Sequence, residues 1–334
     1  MPTFCRHNRL IQNCPICSRE QSIELRPIVS SSAPRSTLPR EPAQRPGRTR
    51  SASTRSATTR SGTGTGVRVR RLARSADDGY QSRLVPGLRS SVDAENLAEE
   101  LAFATTRLAQ LEQQPPGLYV EVAAGEGDLE ERTWLAFLIA YISPLDGEDP
   151  FASIRTAMSA WASGEPPSLD GVELGPRTAH DPDRGTQTID AYRAWASRAG
   201  SQAAAFSGES AWTPERRFAR VFERLSLPGF HRDARFDLLV TLGRLGVYDL
   251  RPGSLQFGAD NEVTLAAKRA LGIGDTMLLE RRAAELASAC GLPLEALDVG
   301  LYNWERGTRS TLGTGADAEP DPDALRAVRD ALGV

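Results

Sequence analysis

Four side chains near the amino terminus have the types and spacing of a metal site. Cys5-x-His7 and Cys14-x2-Cys17 place three thiols and an imidazole within 13 residues. Two cysteines two residues apart can face one ion, and so short a segment has no core of its own. Tetrahedral Zn²⁺ held by Cys5, His7, Cys14 and Cys17 would supply its folding free energy, and four protein ligands would make the site closed and structural. A redox CxxC is the alternative, but its usual βαβ context is missing. Zinc would not say what the module binds, since nucleic acid and protein are both usual partners.

A second constellation spans 268–304, KRALGIGDTMLLERRAAELASACGLPLEALDVGLYNW. Gly272-Ile273-Gly274 permits a sharp bend between two helices and leaves amides free at the start of the second. Such amides can hold a DNA phosphate without reading a base. A simple helix stop and turn is the plainer reading. Lys268, Arg269, Arg281 and Arg282 flank the turn and are candidate phosphate partners. Asp298 closes an apolar run. If the chemistry is N-glycosidic cleavage, a base is flipped out and positive charge develops on the sugar. A carboxylate nearby stabilises that charge and can orient water. Equally, Asp298 could cap the helix that follows.

Tyr141, Tyr302 and Trp304 could stack on a flipped base, and Asn303 could bond its edge; each also suits a core position. Asp146, Glu148 and Asp149 read as a solvated loop, a second catalytic acid or a Mg²⁺ site, the solvated loop being favoured. His231, with Arg232 and Arg235, opens a helix and is a further phosphate candidate or a plain surface helix start.

These residues sit in a chain of 334, 40% hydrophobic, enough for a real core. No run of about 18 apolar residues suggests a membrane span, and no apolar leader segment is visible. Only 4 cysteines occur, three of them within the first 17 residues, which argues against a disulfide framework and for a reducing, cytoplasmic setting. Lys268 is the only lysine. The net charge of -3 is unevenly spread: residues 1–92 carry 17 arginines against 5 acids, leaving the remainder strongly acidic. A basic arm on an acidic body points to a polyanion partner or to a solvated tail.

Composition shifts mark the organisation. Residues 1–22 form the zinc-knuckle module, and 23–91, rich in Ser, Thr, Arg, Pro and Gly, read as a disordered basic linker. A helical domain follows over 92–312, then a tail with a short helix over 313–334. Apolar spacing and capping signals predict helices within 91–117, 128–151, 149–163, 188–206, 213–225, 231–248, 264–272, 275–291, 293–306 and 322–333. LYVEVAAG, 118–125, is the one weak strand candidate. The body is mainly α, with no βαβ rhythm and no Rossmann or P-loop fingerprint.

Leu271, Gly272, Ile273 and Gly274, then Gly291 and Pro293, then Asp298 resemble the hairpin, second segment and catalytic aspartate of the helix-hairpin-helix DNA glycosylases. The spacing from hairpin to acid is a few residues longer than in that superfamily. No lysine occupies the first turn after the hairpin, which argues against a Schiff-base lyase and for a monofunctional enzyme. No carboxy-terminal cysteine cluster for iron–sulfur is present. A broader resemblance rests on ERTWLAFLIAYISPLDGEDPF, ARFDLLVTLGRLGVYDLRPGSL, the 261–304 stretch and the leading FCRHNRLIQNCPIC. Together they are similar to the alpha-glutamyl/putrescinyl thymine pyrophosphorylase family, in its bacterial clade.

That resemblance implies a glycosylase-like helical fold. It implies either excision of a modified pyrimidine from double-stranded DNA, such as phage DNA in antiviral defence, or transfer of an amine onto an activated 5-hydroxymethyl pyrimidine. Excision is the first expectation, with Asp298 catalytic. Transfer needs a diphosphate leaving group and Mg²⁺. A non-catalytic DNA- or protein-binding adaptor is the third.

Overall fold

The computed structural model describes residues 75–125, 127–258, 261–314 and 318–334. The zinc candidates Cys5, His7, Cys14 and Cys17 lie outside the described residues. The expected helical body is observed: twelve α-helices and no strand among the described residues.

Helix α1 (Ser91–Gln113) is the long axis of the fold, burying Leu97, Leu101, Leu108 and Leu111 along one stripe. The short α2 (Tyr119–Ala123) follows the Pro-Pro-Gly stop, where a strand was the sequence expectation. Its apolar alternation has no partner edge to pair with, and a single turn instead buries Tyr119 and Val122. Helix α3 (Leu129–Ile142), capped by the Asp128 carboxylate on the Glu130 amide, is buried from Thr133 to Ile142 on every face. It is the hydrophobic centre of the molecule.

Two expected helices are shorter than predicted, and carboxylates from another helix secure both breaks. The one predicted over 149–163 is only α4 (Ala152–Ala157), because Glu131 accepts the Trp161 and Ala162 amides at 2.7 and 2.9 Å and holds a turn there. The one predicted over 188–206 divides at Gly200 into α5 (Gln187–Ala199) and α6 (Gln202–Ser207). There Glu130 accepts the Gln202 and Ala203 amides at 2.9 and 2.8 Å.

Helix α7 (Pro214–Arg224) starts as its Thr213-Pro214 signal predicts. It is followed by α8 (Arg232–Arg244), α9 (Glu262–Leu271), α10 (Thr276–Cys290), α11 (Ala296–Arg306) and α12 (Pro322–Leu332). Helix α8 packs on α3, while α11 and α12 pack on α1. Gly300 permits the α11 approach: a Cβ there would stand 2.7 Å from the Leu101 side chain and 3.1 Å from the Glu100 carbonyl. Helix α12 is part of the packed body rather than a loose tail, since Val328 and Leu332 are buried.

Residues 75–90, assigned above to the linker, are packed too. Val85 and Leu88 are buried, and the Tyr80 hydroxyl donates to the Leu332 carbonyl at 2.6 Å. Aliphatic anchors embedded in an otherwise polar stretch are what the composition average concealed.

Candidate functional site

Asp298 lies inside the first turn of α11, not at its cap; Glu295 holds the cap position. Its carboxylate is 1% exposed. One oxygen accepts from Arg177 at 2.5 Å and the other accepts from Arg232. Arg177 also clamps Asp237 through Nε and Nη2, at 2.7 and 2.9 Å, and its guanidinium lies 4.7 Å from the centre of the Tyr302 ring. Arg232 pairs with Asp233 at 3.1 Å, donates to the Leu255 carbonyl and lies over the Phe236 ring. The result is a buried centre of two guanidiniums and three carboxylates.

The electrostatics follow from that burial. Burial pushes the Asp298 carboxyl above its ordinary range, with Arg232 and Arg177 pulling it back part of the way. Burial works against the Arg177 charge, but Asp237, Asp298 and Asp233 hold it well above the usual arginine value. Burial pushes the Tyr302 phenol up to about 12, so it stays protonated and donates to the Pro176 carbonyl at 2.6 Å.

Arg232 links this centre to the surface. It lines a cavity of about 670 Å³ with His231, Arg235, Gln256, Phe257 and Asn261. A second cavity of about 470 Å³, lined by His180, Asp181, Arg184 and Gly229 among others, shares Ser226, His231 and Arg235 with the first. Asp298 therefore sits behind Arg232, separated from open space by the guanidinium it binds. The 255–257 strip that holds Arg232 is pinned from α10, where Glu280 accepts the Leu255 and Phe257 amides at 2.8 and 2.7 Å.

The other predicted residues divide. Tyr141 is fully buried and its hydroxyl meets His180 Nδ1 at 2.9 Å, so it touches the smaller cavity only through that ring. Tyr302 joins the charged centre. Asn303 and Trp304 face away: the Asn303 amide bridges Glu100 and Ser310, and the Trp304 indole donates to the Asp93 carbonyl at 3.0 Å. No described cavity is lined by either of them.

The hairpin turn exists between α9 and α10. Gly272 ends α9 at φ 66°, Gly274 is exposed, and Ile273 packs partly on the core. Asp275 occupies the cap of α10, its carboxylate accepting the Leu278 amide at 2.9 Å. That carboxylate takes one of the amides that the sequence reading offers to a phosphate. The flanking cations are also engaged. Arg269 stacks on Trp304 and pairs with Glu305 at 2.9 Å, while Arg281 and Arg282 both pair with Glu285. Lys268 has no ion pair among the described residues.

Asp146 accepts from the Thr311 amide, and Asp149 pairs with Arg155. Among the described residues no three His, Cys, Asp or Glu side chains are grouped to hold a metal.

Sequence reasoning missed Arg177, Asp233 and Asp237 altogether. Arg177 sits in a Gly- and Pro-rich loop that carries no signal. The pair Asp233 and Asp237 did carry one: two acids four apart on an apolar helix face require buried cations.

These features define a mainly helical protein with an arginine-clamped carboxylate in its described body and a cationic cleft beside it. The family model described as alpha-glutamyl/putrescinyl thymine pyrophosphorylase clade 3 matches residues 177–307, and the pyrophosphorylase resemblance read from the sequence holds over that span. The span contains Arg177, His180, Arg232, Asp233, Asp237 and Asp298. No curated protein and no solved structure matches the chain. No helix among the described residues is long and apolar enough to cross a membrane.

Proposed function

We propose that the chain is a pyrophosphorylase-type transferase that joins an amine to the 5-methylene carbon of an activated pyrimidine in DNA. The observation that carries this reading is the closure of Asp298. Excision needs a carboxylate open to the sugar where positive charge develops. Here both Asp298 oxygens are occupied by guanidiniums and the side chain is 1% exposed. Transfer instead develops negative charge on a departing diphosphate, which needs a cationic wall, and Arg232 and Arg235 line the cavity over this centre. In this reading Asp298 is a positioning residue that holds Arg232 at the cavity wall.

The step balances simply. The C–O bond to the diphosphate breaks with its electron pair going to oxygen, the amine nitrogen forms the new C–N bond, and the resulting ammonium loses a proton to solvent. The matched family is described as a glutamyl and putrescinyl thymine pyrophosphorylase, which supports the same reading and supplies two amines to test. The carboxylates of the charged centre do not fit the Mg²⁺ expected for such a route. Asp298 and Asp233 pair with Arg232, and Asp237 pairs with Arg177. No step is therefore assigned through a metal there.

Excision from phage DNA by a helix-hairpin-helix glycosylase is less supported, because Asp298 would first have to leave both arginines. The test uses the full chain and a duplex carrying one 5-(diphosphoryloxymethyl)uracil, with putrescine or glutamate. Amine-dependent diphosphate release, with the aminated nucleoside seen by mass spectrometry, is the expected result. Abasic sites formed without amine would overturn it in favour of excision. DNA retention with neither product would favour the adaptor.

A further inference from the structure

We propose that the cleft formed by the two cavities around His231 and Arg235 is a binding site for a phosphoryl oxyanion. Both cavities include Ser226, His231 and Arg235 in their walls, and together they take in His180, Arg184 and Arg232. The acids on these walls are Asp181 and Glu223. Asp181 is spent on Arg184 at 3.1 Å and Glu223 on Arg220 at 3.0 Å. Arg232 is spent on Asp298 and Asp233.

Arg235 is different. No carboxylate lies within ion-pair distance of it among the described residues, and its Nε has no acceptor. Its Nη1 donates to the Phe222 carbonyl at 3.0 Å, and the guanidinium stacks 4.3 Å from the Phe222 ring centre, so the group is fixed in place. A half-buried guanidinium without a counter-ion is costly unless an anion joins it. Burial and the neighbouring Arg232 lower its proton affinity, Asp233 offsets part of that, and an arriving oxyanion would offset more.

A second feature converges on the same place. Helix α8, 13 residues long, begins at this cleft with His231 at its cap, and no side chain caps its first-turn amides. The one acid in its first turn, Asp233, is paired with Arg232, so the amides at the positive end of the helix dipole have no side-chain acceptor beside Arg235. His231 Nε2 is held on the Thr178 carbonyl at 2.7 Å, and His180 Nδ1 on the Tyr141 hydroxyl at 2.9 Å, so both rings are fixed at the wall. The hairpin turn, whose cap is filled by Asp275, lacks this combination.

The oxyanion has two sources with one chemistry: a DNA backbone phosphate, or a diphosphate that is free or carried by a base. Titration calorimetry on the full chain with inorganic phosphate, inorganic diphosphate and a plain duplex separates them. Saturable binding is expected, weakened about tenfold or more by Arg235→Gln and several-fold by Arg184→Gln, and unchanged by Arg326→Gln on the far helix. Binding of diphosphate without the duplex assigns the cleft to a diphosphate. Duplex binding lost with Arg235→Gln, without diphosphate binding, assigns it to the backbone. Circular dichroism of each variant establishes folding, and Arg184→Gln, on an exposed side chain, serves if Arg235→Gln unfolds. No saturable binding of any probe, or binding indifferent to both substitutions in folded protein, would overturn the site. This readout involves no turnover, so it can fail or succeed separately from the transferase reading.

Discussion

Asp275 and Asp298 are both acids at the start of a helix that follows a left-handed glycine, Gly272 or Gly291, and the fold uses them in opposite ways. Asp275 is exposed and bonds one amide of its own helix. Asp298 is sealed and bonds two arginines from distant segments. The first contributes local helix stability. The second is the keystone of a buried charge cluster, where removing one member strands the others. Burial, more than local sequence, separates a cap from a centre.

The sharpest way to break this contrast is Asp298→Ala. It leaves Arg177 and Arg232 short of a buried counter-charge, and the expected loss is about 3–5 kcal/mol, read from thermal or urea unfolding. A variant that melts with the parent would show that the cluster is not structural. The same measurement must accompany any activity assay on this position, since lost turnover would otherwise be confused with lost fold.

Next in size is Gly87→Ala, which tests the anchoring of the hairpin. An added Cβ would stand 1.9 Å from the Arg269 carbonyl and 2.8 Å from the Gly272 amide, so the chain must shift. The expected cost is about 1–3 kcal/mol. Faster hydrogen exchange at the α9–α10 turn should accompany it.

Asp275→Ala should cost about 1 kcal/mol, the usual value of a helix cap. It also frees the Leu278 amide. If the turn holds a DNA phosphate, duplex retention at low salt should rise in this variant, because a competing carboxylate is gone. Unchanged retention would leave the turn as structure alone.

The smallest effect concerns Glu280, which ties α10 to the strip that holds Arg232. Burial raises its carboxyl above the ordinary value. The folded chain then holds this proton more tightly than the unfolded chain, so the contribution of Glu280 grows as pH falls and is lost as pH rises through its folded-state value. Comparing parent and Glu280→Gln from pH 4 to 7, the difference should move in favour of the parent toward acid. The opposite slope would contradict the assignment.

How much of this was legible depends on range. The helix boundaries carried by neighbouring residues were readable: Thr213-Pro214 opens α7, and Gly272 and Gly291 end α9 and α10 in left-handed geometry. The break at 157 was not, because the carboxylate that holds the following turn, Glu131, belongs to another helix; the break at 200 did carry a local signal, Gly200 at φ 95° followed by the Ser201 cap, which Glu130 then secures.

The same rule governs the site. The sequence alone determined a mainly helical body, a tight glycine turn between helices and an acid at the start of α11, since each depends on local backbone preference and spacing. Only tertiary structure decided what that acid does. Arg177 lies 121 residues from Asp298 in the chain and Arg232 lies 66 residues away. Whether a carboxylate faces solvent or two guanidiniums is set by which distant segments fold over it, and by the low dielectric that makes the pairing obligatory once they do.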